Sequence, residues 1–148
     1  MYSIEFDNNI IKGVELMDIN LLNPHEKVIK KKKTKLTKFI KSFDEYYIIS
    51  SILCCHKTNV IIDGHHRYFA LKELGFNNVP VTKINYSSDL ISTGVGGSAI
   101  PKEEIIRIGV SDELFEPKST QHLIYCSKSK AWQPIILLST MFKIDTKN

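Results

Sequence analysis

The sequence predicts an α/β or α+β fold, and three observations carry that expectation. Short runs of branched aliphatic residues alternate with amphipathic stretches along the chain. One such run, Val60-Ile61-Ile62, passes through Asp63-Gly64 straight into helical periodicity, the pattern of a strand turning into a helix. With 148 residues, 43% of them hydrophobic, the chain can bury one substantial core, so a single domain spanning 1–148 is expected.

The elements follow in order. Tyr2 to Phe6 and Ile10 to Leu16 have strand composition around a turn at Asp7-Asn8-Asn9, and Asp18 to Pro24 is a connection. Val28, Ile29, Leu36, Phe39, Ile40 and Phe43 fall near helical spacing and predict an amphipathic helix whose outer face is lysine. Tyr47 to Cys55 and Val60 to Ile62 read as a hairpin around His56-Lys57-Thr58-Asn59. A helix runs from about His65 to Leu74 and stops at Gly75; Val79 to Tyr86 is the next strand. Asp89 to Ala99, with three glycines, is a loop. Pro101 opens a helix to Ile108, with Glu103 and Glu104 in the first turn where the helix dipole favours acids. Pro134 to Phe142 is expected to be the last helix.

Composition narrows the function classes. No apolar run reaches the ~18 residues of a membrane-spanning helix, and the first residues lack the pattern of a secretory signal, so a soluble, cytoplasmic protein without membrane contact is expected. Cys54, Cys55 and Cys126 match no metal-ligand spacing and fit a reducing compartment. The net charge of +4 is local in origin: Lys27, Lys30, Lys31, Lys32, Lys33, Lys35, Lys38 and Lys41 lie together, and the rest of the chain is net acidic. A solvated face explains this run better than a nucleic-acid site, since no aromatic residue is interleaved with the lysines for base stacking.

Three polar clusters stand out. In Asp63-Gly64-His65-His66-Arg67, the start of a helix directs its backbone N–H groups and dipole at an anion. Gly64 permits close approach, His65 and His66 add donors, and Arg67 can grip phosphate oxygens with two prongs. Beside a bound phosphate, the Asp63 carboxylate would hold Mg²⁺ or manage a proton. The plainer reading makes Asp63 an N-cap and pairs Arg67 with a surface acid. The second cluster is Asn23-Pro24-His25-Glu26, where an acid at a helix start is ordinary on dipole grounds alone. The third is Pro117-Lys118-Ser119-Thr120-Gln121-His122, a polar loop between apolar segments.

Taken together, "DINLLNPHEKV", "VIIDGHHRYFALKELGFNNVPV" and "ELFEPKSTQHLIY" resemble the signature segments of the free L-serine kinases of the ParB/sulfiredoxin-like superfamily. The segments stand in the family's order and reach from about Gly13 to Tyr125. The resemblance implies a small mixed sheet with flanking helices, in a short form without the larger insertion that archaeal members carry. It implies transfer of a phosphoryl group from ADP or ATP, with Mg²⁺, to free L-serine. Glu26 would then be the catalytic base and Asp63 catalytic. Gly64, His65, His66 and Arg67 would bind nucleotide phosphates, and Lys118, Ser119, Thr120 and His122 would lie by the amino acid. Ser119 and Gln121 depart from the family's usual Pro-Lys-Thr-Thr-Arg-His, and the tryptophan usual after the strand ending near Tyr86 is absent. Sulfiredoxin chemistry lacks its thiol in this turn, and a ParB-type DNA binder would need a further helix-turn-helix region. A nucleotide-binding regulator without turnover and a small nuclease are the alternatives.

Overall fold

The structure, a computed structural model, describes residues 5–27, 46–94, 100–111, 113 and 121–145. The expected lysine-rich helix and Lys118, Ser119 and Thr120 lie outside the described residues, as does most of Tyr2 to Phe6. Among the described residues no helix is long and apolar enough to cross a membrane.

The elements are β1 (Ile11–Asp18), β2 (Tyr46–Ser50), β3 (Ile52–Cys55), β4 (Ile61–Asp63), α1 (His65–Glu73), β5 (Asn78–Ile84), β6 (Ile91–Ser92), α2 (Lys102–Gly109), β7 (Leu123–Cys126), β8 (Ala131–Pro134) and β9 (Met141–Asp145). A central mixed sheet has the order β1-β5-β3-β4: β1 is antiparallel to β5, β5 parallel to β3, and β3 antiparallel to β4. β2 pairs with β9, and β6, β7 and β8 form a third, antiparallel sheet.

Alternation along β3 and β4 divides the core in two, because successive strand residues point to opposite faces. Ile52, Cys54 and Ile61 pack with Tyr68 and Leu71 of α1, Phe76 and Val79. Leu53, Cys55 and Ile62 pack on the other side with Ile105 of α2, Ile124 of β7, Ile135 and Leu138. The three cysteines are buried free thiols, Cys54 in the first of these layers and Cys55 in the second. Gly75 ends α1 at φ +85°, a left-handed conformation that only glycine adopts without strain, and the Phe76 N–H closes the turn on the Leu71 carbonyl (3.0 Å).

Two expectations are corrected. Tyr47 to Cys55 is not one strand: the chain turns a corner at Ser51, so β2 leaves for β9 while β3 enters the central sheet. Ser51 is fully buried, and every polar group it carries is engaged. Its N–H donates to the Thr140 carbonyl (2.8 Å), its Oγ shares a hydrogen bond with Thr82 Oγ1 (2.7 Å), and the Thr140 N–H donates to that Oγ (2.9 Å). Pro134 to Phe142 is not a helix either. Pro134 closes β8, Ile135–Leu138 make one 3-10 turn that sinks Ile135 and Leu138 into the core, and Met141 starts β9. The apolar run ends after that single turn, and the strand that follows, Met141–Asp145, is set by its pairing with β2. Within Asp89 to Ala99, the short strand β6 had no sequence signal of its own.

Candidate functional site

β4 ends at Asp63, and Gly64 joins it to α1 at φ 107°, ψ 24°. No side chain caps the helix, and its first closing bond runs from the Tyr68 N–H to the Gly64 carbonyl (2.9 Å). The N–H groups of the first turn therefore sit at an open helix end, as an anion site requires. Instead of capping, Asp63 pairs with Arg67 one turn on: Arg67 Nη2 donates to Asp63 Oδ2 and to the Ser51 carbonyl, each at 3.3 Å. This folds the guanidinium over Gly64, where a Cβ would lie 2.8 Å from Nη2. Glycine is thus required twice, by its backbone angle and by the arginine above it. Arg67 Nε is buried with no hydrogen-bond partner among the described residues. Burial raises the Asp63 carboxyl above its ordinary value, and the Arg67 guanidinium opposes the rise.

The Pro24-His25-Glu26 segment reaches the same place through strand geometry. Asn23 forms a parallel bridge with Val60; the Asn23 N–H donates to the Asn59 carbonyl (2.9 Å) and the Ile61 N–H to the Asn23 carbonyl (2.8 Å). Glu26 is buried, 6% exposed, and lines a cleft of about 380 Å³ together with Asp63, Gly64, His65, His66, Arg67, Gln121, His122, Pro134, Ile135 and Ile136.

Three imidazoles fill the floor of this arrangement. The His25 N–H donates to His65 Nε2 (3.0 Å), and the two rings meet edge to face at 4.4 Å between centroids. His122 lies 6.0 Å from His25, and its Nε2 shares a hydrogen bond of 2.7 Å with the Tyr86 hydroxyl. Burial pushes His25 down to about 4 and His122 to about 3, and drives His65 well below its ordinary value with help from the neighbouring histidines. All three are neutral at physiological pH, so the positive charge of the site comes from Arg67 and the helix end. Among the described residues no three His, Cys, Asp or Glu side chains are placed to hold a metal ion.

The structure brings Glu26, Asp63, Gly64, His65, His66, Arg67 and His122 together in one cleft. Gln121, which departs from the family pattern, is in the cleft wall. Sequence reasoning missed Ser51, Tyr86 and the 134–136 wall. Tyr86 read only as a strand end, and nothing local marks a residue whose partner lies 36 positions away.

No family model matches the chain. It is 37% identical over 81 residues to an ATP-dependent L-serine kinase of Staphylothermus marinus, covering 51% of this chain and 32% of that protein. It is 29% identical over 86 residues to a ParB-like protein of Sulfolobus acidocaldarius, covering 58% and 42%. The match thus spans less than half the length of either relative. In structure, the chain is similar to a free serine kinase in complex with AMP, with a TM-score of 0.66 at 15% identity over 83% of this chain and 91% of the other. The chain has the fold of a free serine kinase, and in sequence it is similar to an ATP-dependent L-serine kinase.

Proposed function

We propose that the chain is a free L-serine kinase, cytoplasmic, transferring the terminal phosphoryl group of ADP or ATP to the serine hydroxyl. The observation that carries this reading is the buried carboxylate of Glu26 in the same cleft as the Asp63 to Arg67 turn. A phosphate site needs no such carboxylate, whereas a phosphoryl acceptor needs a base.

In this reading the phosphates rest on the first turn of α1. Arg67 Nε–H, without a partner among the described residues, and the His66 side chain donate to them. Phosphoryl transfer asks the protein chiefly for positioning and charge neutralisation, which this turn supplies. Glu26 takes the proton from the serine hydroxyl as its oxygen bonds to the terminal phosphorus. The bond from that phosphorus to the bridging oxygen breaks, leaving AMP from ADP or ADP from ATP. His122, Lys118, Ser119 and Thr120 flank the amino acid, with the lysine and hydroxyls suited to its carboxylate.

Mg²⁺ fits as an ion borne by the nucleotide. It takes most of its ligands from phosphates and water and asks for one or two carboxylates. Asp63 can offer one: Oδ2 is held by Arg67, which leaves Oδ1. When bound, Mg²⁺ would neutralise phosphate charge, and Asp63 would orient both the ion and the guanidinium.

The test is direct. Protein with Mg²⁺, ADP or ATP, and L-serine should form O-phosphoserine, detected by mass spectrometry. Glu26→Gln should lower kcat by about 10³-fold or more, as loss of a general base with its positioning does, while nucleotide affinity stays within a few-fold. No phosphoserine from either donor would sink the kinase reading. A regulator that binds nucleotide without turnover would then be left.

A further inference from the structure

The two adjacent histidines of the turn do not have the same job. Consecutive helix residues are turned by about 100° from one another, so His65 and His66 present their rings in different directions although both line the cleft. His65 is the more deeply buried, 6% exposed, while His66 is partly exposed.

We infer that His65 is a positioning residue: its Nε2 holds the His25 backbone N–H and so seats Glu26 over the phosphate turn, leaving His66 and Arg67 to meet the nucleotide. Naming Glu26 as the base rests on the kinase reading; the contact itself does not. The bond is 3.0 Å long, buried, and spans 40 residues of sequence. It joins the segment carrying the base to the element carrying the phosphates. Glu26 is the next residue after His25, so fixing the His25 amide anchors His25 Cα and leaves the φ and ψ of His25 as the only soft torsions between the anchor and Glu26 Cα.

The chemistry of the ring agrees. Accepting at Nε2 requires a lone pair there, so the ring proton belongs on Nδ1 and the imidazole is neutral. His25, His122 and His66 surround it, and with burial they disfavour an imidazolium. A ring held in this state is a poor cation for a phosphate and a good acceptor for an amide. The pairing accounts for His-His as one latch and one ligand.

Two variants separate this role from phosphate binding. His65→Leu removes the acceptor, and His65→Gln returns an oxygen near the place of Nε2. In His65→Leu, kcat should fall by about 10- to 100-fold, the effect of a small displacement of a reacting group, with nucleotide affinity within about threefold of the parent. Hydrogen exchange at the His25 amide should quicken in His65→Leu, and His65→Gln should restore both the protection and most of kcat. Unchanged exchange at His25 in His65→Leu would overturn the inference, as would faster exchange with kcat intact. So would lost nucleotide affinity with kcat kept at saturating nucleotide, which would make His65 a phosphate ligand. If the parent protein makes no phosphoserine, the kinase reading fails separately; amide exchange and nucleotide affinity still decide whether His65 is latch or ligand.

Discussion

The turn from Asp63 to Arg67 takes its five residues from one continuous stretch, and its key contact, Arg67 to Asp63, spans four positions. The histidine floor beside it takes His25, His65 and His122 from three separate parts of the chain and adds Tyr86 from a fourth. The turn keeps its charge, with a paired arginine and an open helix end. The floor has discarded its charge through burial. This difference separates two kinds of construction within one cleft: a local, charged turn, and a long-range, uncharged set of contacts that joins three segments. Changes in the first should appear in nucleotide binding, and changes in the second in stability and in the placement of Glu26.

Acid should have the largest effect, and it should act through the floor. His25 and His122 titrate at about 4 and about 3 in the folded chain, against 6.5 when exposed. Between those values the unfolded chain binds more protons, so stability is fully present above 6.5, falls as pH drops toward 4, and levels once the folded groups protonate. Each histidine contributes on the order of 3 kcal/mol to that fall. Asp63 works in the opposite sense: its folded carboxyl is raised above 3.8, so its contribution to stability grows as pH falls through the folded value. It blunts the drop without reversing it. Urea midpoints measured from pH 8 to pH 5 should decline below about 6.5; a flat profile would mean that the floor is not a neutral, buried unit.

Arg67→Ala comes next and tests the turn. Nucleotide affinity should weaken by about 1.5 to 3 kcal/mol, the size of lost charge-assisted hydrogen bonds, as read by calorimetry. Unchanged affinity would move the phosphates away from the α1 terminus.

Tyr86→Phe should have the smallest effect and sharpens the contrast from the other side. It removes the partner of His122 Nε2 in a buried place, so stability should drop by about 1 to 2 kcal/mol while nucleotide affinity holds. A thermal melt with parallel calorimetry distinguishes the two quantities. Loss of nucleotide affinity in this variant would merge the two regions into one.

Much of the architecture was legible because it depends on local signals. Branched residues in Val60-Ile61-Ile62 mark a strand, Gly75 stops α1, and Pro101 with Glu103 and Glu104 opens α2, each through the preference of a few neighbouring residues. The corner at Ser51 was hidden, since its cause is a set of hydrogen bonds to Thr82 and Thr140 far along the chain. Pro134 to Phe142, expected as one helix, divides for the same kind of reason: the partner strand β2 lies far along the chain and takes Met141 and Phe142 into β9.

What the sequence determined by itself is the Asp63 to Arg67 turn at the start of α1 and the order of the three clusters. Asp-Gly-His-His-Arg after an aliphatic run has few other uses, because dipole, glycine and guanidinium all act within one turn. What only the tertiary structure decided is the division of labour inside it. Which of two adjacent histidines accepts the His25 amide depends on how α1 packs against a segment 40 residues earlier. No local preference encodes a contact of that range; burial and hydrogen-bond satisfaction select it once the sheet has brought the segments together.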